Sequence, residues 1–154
     1  MKTYKIYTDG SYKPTTNQGG YASIILQNNK LYKILSKGFI NTTNNRMELL
    51  GFLSALEYFD EPTKLEIYSD SSYVVNSIKY GHYKTWLTQK DESKKNLDLW
   101  DKISDWLSFH EVTVFWVKGH NDNLYNELAD LHANIAAIVI NPITDLHGSQ
   151  ENKI

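Results

Sequence analysis

Residues 2–8 alternate polar side chains with β-branched and aromatic ones and stop at Asp9-Gly10, so the pattern predicts a strand running into a turn. Residues 20–27 and 31–39 read as two further strands joined at Asn28-Asn29, a pair that tolerates the left-handed backbone of a tight hairpin. From residue 44 to 59 the period lengthens. Leu49, Phe52, Leu53, Leu56 and Phe59 form one stripe of an amphipathic helix, which Thr43 or Asn44 can cap and Pro62 follows. A fourth strand is predicted over 64–69, ending at Asp70, then a short helix over 71–80 closed by Gly81. Residues 96–109 give a helix with Leu99, Ile103, Trp106 and Leu107 on its apolar face, and 112–117 a fifth strand. A last helix over 124–138 would present Leu128, Leu131, Ile135 and Ile138 to the core. Beyond Asn141-Pro142 the chain turns polar, so the expected division is a folded domain over 1–140 and a frayed polar tail over 141–154.

Hairpin strands followed by alternating helices and strands predict an α/β fold. Its mixed sheet is antiparallel at first and parallel after the first helix, and function in such sheets gathers at the carboxyl ends of parallel strands. The length, 154 residues, fits one domain with a real core, and no apolar run approaches the ~18 residues of a membrane span. The absence of cysteine removes disulfides, thiolate metal sites and cysteine nucleophiles. With no signal-like apolar stretch at the start, a cytoplasmic monomer away from membranes is expected. The net charge of −2 argues against coating nucleic acid by bulk positive charge. Arg46 is the single arginine beside fifteen lysines, a bias that codon usage explains, although one arginine can still matter locally.

Two segments share a pattern: Ile6-Tyr7-Thr8-Asp9-Gly10-Ser11-Tyr12 and Ile67-Tyr68-Ser69-Asp70-Ser71-Ser72-Tyr73. Each is a strand delivering an aspartate at its end. A right-handed crossover between them would bring Asp9 and Asp70 to adjacent strand ends. Glu48 lies at the edge of the first helix's apolar stripe, held near the sheet. Converging carboxylates repel in a partly dry site but suit hard cations, and paired metals can clamp both the attacking water and the leaving oxygen of a phosphodiester. Singly, each aspartate is explained as a turn former and Glu48 as a helix-dipole partner; the duplication is not. Asp130 falls beside Asn126 and Asn134 on what periodicity reads as a solvated face. His120 follows Lys118-Gly119 in a loop, where it is either simply exposed or a proton shuttle.

Taken together, Tyr7-Thr8-Asp9-Gly10-Ser11, Thr42-Thr43-Asn44-Asn45-Arg46-Met47-Glu48-Leu49, Tyr68-Ser69-Asp70-Ser71, Trp116-Val117-Lys118-Gly119-His120 and Asn126-Glu127-Leu128-Ala129-Asp130 resemble the type 1 ribonuclease H family from Tyr4 to Ile138. The resemblance implies a ribonuclease H-like fold, with a five-stranded mixed sheet of order 3-2-1-4-5 flanked by helices. It implies a stand-alone endoribonuclease that cuts the RNA strand of an RNA/DNA hybrid with two Mg²⁺ ions, or Mn²⁺ in their place, leaving 5′-phosphate and 3′-hydroxyl ends. Asp9, Glu48, Asp70 and Asp130 match the family's metal-binding carboxylates, and His120 its mobile histidine.

Asn44 and Asn45 match residues that read the 2′-hydroxyl in the minor groove, with Gly10 and Ser11 supplying contacts nearby. Residues 79–95 carry a net charge of +3, with aromatic residues interleaved, and resemble the family's basic protrusion; Lys84, Trp86, Lys94 and Lys95 are its candidate contacts to the DNA strand. By composition alone this is a solvated lysine-rich loop. The chain departs from the family at Asn41, where some members have arginine near the DNA-phosphate pocket of Thr43 and Asn17, and at Ser72, where a groove-reading glutamine is common. The alternatives are a DNA resolvase or integrase on the same fold and a catalytically silent hybrid-binding module; the Asn pair opposes the first and four acidic positions the second.

Overall fold

The structure, a computed structural model, describes residues 1–90, 94–118 and 123–147. The chain opens with three antiparallel strands, β1 (Thr3–Lys13), β2 (Gln18–Gln27) and β3 (Lys30–Ile40). The tight turn between β2 and β3 uses Asn28 and Asn29, both with positive φ (53° and 62°), as the sequence predicts. Helix α1 (Asn44–Glu57) then crosses over to β4 (Lys64–Ser69), which pairs parallel to β1. Helices α2 (Ser72–Lys79), α3 (His82–Gln89) and α4 (Leu97–Phe109) lead to β5 (Glu111–Trp116), parallel to β4, and α5 (Leu124–Ala136) follows. The sheet order is β5-β4-β1-β2-β3-β6, so the expected 3-2-1-4-5 arrangement holds for the first five strands. No helix among the described residues is long and apolar enough to cross a membrane.

The sheet separates two cores. The larger joins Tyr4, Ile6, Leu65 and Ile67 to Leu49, Phe52, Leu53 and Leu56 of α1 and to Leu99, Trp100 and Ile103 of α4, burying the predicted stripe of α1 in full. The smaller lies under α5 and contains Tyr7, Ile24, Leu26 and Ala129. Alternation along β1 assigns Ile6 to the first and Tyr7 to the second.

Three sequence expectations give way. First, β1 does not turn at Asp9-Gly10 but continues to Lys13, because Asp9 through Lys13 keep pairing with β2. Second, α5 turns a different face inward. Ala129, Ala133 and Ala136 are buried, while Leu131, Ile135 and Ile138 are at least half exposed. The reason is proximity: a Cβ on Gly20 would lie 2.6 Å from Ala136 Cβ, and one on Gly38 would meet the Ala136 carbonyl oxygen at 2.2 Å, so only small residues fit between helix and sheet. Third, the stretch read as a polar tail is partly built into the sheet. Its strand β6 (Ile143–Thr144) pairs parallel to β3 at Phe39 and Ile40, and Asp145 is buried; residues 148–154 lie outside the described residues. The segment after Gly81 adds a helix, α3, that periodicity does not predict.

Candidate active site

The parallel register pairs Thr8 with Ser69, so β1 and β4 carry Asp9 and Asp70 to one level at neighbouring positions. Thr43 caps α1 through its hydroxyl, which accepts a hydrogen bond from the Arg46 amide at 3.2 Å, and this sets Glu48 in the helix's second turn. The helix approaches β1 so closely that a Cβ on Gly10 would sit 2.5 Å from the Glu48 amide nitrogen; glycine is required there by contact, not by φ. One carboxylate oxygen from each of Asp9, Glu48 and Asp70 lies within 4.8 Å of the others. Asp9 is 4% exposed and Glu48 6%.

Burial, then the charge of Asp70 and a hydrogen bond with Asp130, pushes Asp9 up to about 8. Burial, then Asp9 and Asp70, raises Glu48 well above the usual carboxylate range. The Gly10 amide, donating to Asp9 Oδ1 at 2.9 Å, opposes this only in part. Glu48 Oε2 is buried and makes no hydrogen bond to any described residue. An unpartnered carboxylate oxygen facing two more carboxylates is unfavourable for folding alone and is the donor set a hard divalent cation requires.

Asp130 extends the group from α5. It is half-buried and close enough to Asp9 to help raise its pKa, on the side of the helix that periodicity reads as solvated. Asn134, one turn later, donates to the Asp130 carbonyl at 3.0 Å and accepts from Ser11 Oγ at 2.6 Å, so Ser11 ties β1 to α5. His120 lies outside the described residues. Behind the carboxylates, Tyr7, Tyr68 and Phe115 stack face to face at 4.7 and 4.8 Å, and Trp116 Nε1 donates to the Asp70 carbonyl at 3.3 Å.

A groove of about 550 Å³ is walled by Thr43, Asn44 and Asn45 from the start of α1 and, among others, by Trp86 of α3 and Lys94 and Lys95 of the segment leading into α4. Asn44, Asn45, Lys94 and Lys95 are exposed. Lys94 Nζ sits 5.9 Å over the Trp86 ring. Of the remaining predicted contacts, Ser72 and Lys84 are exposed outside the groove, and Asn17, in the left-handed region (φ 55°), accepts from Tyr12 Oη at 2.7 Å. Tyr12, Tyr73 and Asn96 also line the groove. Sequence reasoning misses these three because they come from separate elements, Tyr12 from β1, Tyr73 from α2 and Asn96 from the start of α4, and no single period brings them together.

A family model described as RNase H matches residues 1–138. The chain belongs to the RNase H family. A ribonuclease H of Chlorobaculum parvum is 42% identical over 140 residues, covering 88% of this chain and 95% of that protein. Among solved structures, prototype foamy virus protease-reverse transcriptase superposes with a TM-score of 0.76 at 24% identity over 90% of this chain, which spans only 21% of that protein. The N-terminal RNase H domain from Mycobacterium tuberculosis, solved as a fusion with maltose binding protein, gives 0.69 at 20% identity, over 89% of this chain and 94% of that one. The two structural likenesses establish the RNase H fold, and the curated relative supports a nuclease. Divalent-metal use, implied by RNase H membership, fits the three-carboxylate cluster.

Proposed function

We propose that the protein is an endoribonuclease that hydrolyses the RNA strand of RNA/DNA hybrids, leaving 5′-phosphate and 3′-hydroxyl ends. The observation that carries this reading is the cluster of Asp9, Glu48 and Asp70 from three separate elements, with Glu48 Oε2 buried and unpartnered. Two Mg²⁺ ions, held by Asp9, Glu48, Asp70 and Asp130, would when bound activate the attacking water and offset the charge that develops on the phosphodiester.

The chain's own residues do the rest. Asn44 and Asn45 offer amides that both donate and accept, the pair of functions needed to sense a 2′-hydroxyl. Lys94 and Lys95, across the groove, hold phosphates of the paired DNA strand, and Trp86 gives its sugars an apolar face. Lys84, Ser72, Asn17 and Gly10 extend these contacts beyond the groove, and His120 carries the proton of the leaving oxygen. Ser11 is assigned a supporting part through Asn134.

The test is a labelled RNA/DNA hybrid incubated with the wild-type chain or Asp70→Asn, in Mg²⁺ or EDTA. The expected outcome is RNA cleavage by the wild type in Mg²⁺ alone, with Asp70→Asn slower by at least about 10³-fold while still binding hybrid. Intact RNA in wild type plus Mg²⁺ refutes the reading.

A further inference from the structure

The chain's only arginine has no part in the chemistry above, yet it sits in the first turn of α1 between Asn45 and Glu48. Its side chain is 2% exposed, and every guanidinium N–H has an acceptor. Nε donates to Asp145 Oδ2 at 2.8 Å, and Nη2 donates to Asp145 Oδ1 at 3.2 Å and Asp98 Oδ2 at 2.9 Å. Nη1 donates to Asp98 Oδ1 at 3.0 Å and Asn96 Oδ1 at 3.3 Å. One guanidinium thus makes two forked pairs with carboxylates from the start of α4 and from the C-terminal segment. Lysine, with three donors on a point charge, cannot reproduce this.

The cluster reaches both walls of the groove. On one side, the Arg46 amide donates to the capping hydroxyl of Thr43, beside Asn44 and Asn45. On the other, Asn96 lines the groove next to Lys95 and donates to Tyr73 Oη at 3.4 Å, and Tyr73 stacks on Trp86 at 6.4 Å. The third arm is the segment that begins at β6: the Asp145 amide donates to the Ile40 carbonyl at 3.0 Å, and Thr42 Oγ1 donates to Asp145 Oδ2 at 2.9 Å. Buried ion pairs are weak stabilisers compared with apolar residues of similar volume, so stability is a poor reason for this arrangement. What the forked pairs supply is fixed direction and distance.

We propose that Arg46, Asp98 and Asp145 form a positioning latch. By docking the C-terminal segment against the first turn of α1, they set the spacing between the Asn44-Asn45 wall and the Lys94-Lys95 wall. That spacing must match the two strands of the hybrid at once, and the latch therefore governs substrate binding rather than the chemical step. The inference rests on the hybrid-cleaving function proposed above.

The test is steady-state cleavage of a labelled hybrid, at a temperature where every variant is fully folded, comparing full-length wild type with Asp145→Asn, Asp145→Glu and Asp98→Asn. Asp145→Asn keeps the shape and removes the charge; KM is expected to rise about tenfold with kcat within about twofold, and Asp145→Glu to recover part of the loss. Asp98, whose side chain is 28% exposed, carries one pair only, and Asp98→Asn is expected to raise KM about threefold; it decides the matter should Asp145→Asn fail to fold. A lowered melting temperature with unchanged KM overturns the latch and leaves the cluster purely structural. A wild-type chain that leaves the hybrid intact refutes the functional reading instead.

Discussion

Two carboxylates of one partly dry site, Asp9 and Glu48, hold their protons more tightly than ordinary carboxylates do. Asp9, moved from 3.8 to about 8 by burial and by its acidic neighbours, gives this a measurable sign. Between those values the folded, metal-free chain retains a proton that the unfolded chain has released, so stability falls as pH rises across the window. Urea unfolding in EDTA should show that decline, and Asp9→Asn, which has no proton to lose, should flatten it. Because a cation replaces the proton, the stabilisation from added Mg²⁺ should grow over the same pH range; a Mg²⁺ increment independent of pH would contradict the assignment. The aspartates were legible because their surroundings repeat along the chain, and the structure removes the turn reading of Asp9 by continuing β1 past it. The role of Arg46 was not legible. Counting charges does not show which one loses its water, and its partners stand 52 and 99 residues away.

At the level of elements, the sequence was a good guide where a helix meets the sheet through large side chains and a poor one where it meets glycine. Helix α1 buries Leu49, Phe52 and Leu56, as its stripe predicts. Helix α5 rests on Gly20 and Gly38 through alanines, and that closeness is what brings Asp130 to Asp9. Periodicity equates apolar bulk with the core and therefore turns this helix the wrong way. The consequence is checkable by chemical denaturation. Gly20→Ala places a methyl 2.6 Å from both Ala136 Cβ and the Ala137 nitrogen, and overpacking of this kind costs about 1–3 kcal/mol. Ile135→Ala, at a position 50% exposed, should cost well under the ~2–5 kcal/mol of a true core truncation. Equal losses at the two positions would mean that α5 faces the sheet differently.

For the molecule as a whole, the net charge of −2 averages two regions of opposite sign, the carboxylate site and the lysine-bearing wall of the groove. Replacing Lys84, Lys94 and Lys95 together with glutamine should weaken hybrid binding and reduce the slope of log K against log salt by about one for each phosphate no longer neutralised. An unchanged slope would make these lysines solvated bystanders. The succession of periods along the chain made the elements and a mixed sheet legible, the five-strand order was legible through the family resemblance, and the sixth strand through neither: two residues carry no period, and Asp145 reads as surface until its partner is known.

The buried arginine also has a bearing on synthesis. Arg46 and Asp145 are 99 residues apart, and at about 5–20 residues per second the ribosome needs roughly 5–20 s to make the intervening chain. During that interval the guanidinium lacks two of its acceptors, and the walls of the groove are not yet tied together. Under the latch proposal, Asp9, Glu48, Asp70 and Asp130 are all made before Asp145, so the carboxylate cluster would be complete before the groove takes its final spacing and binds hybrid well.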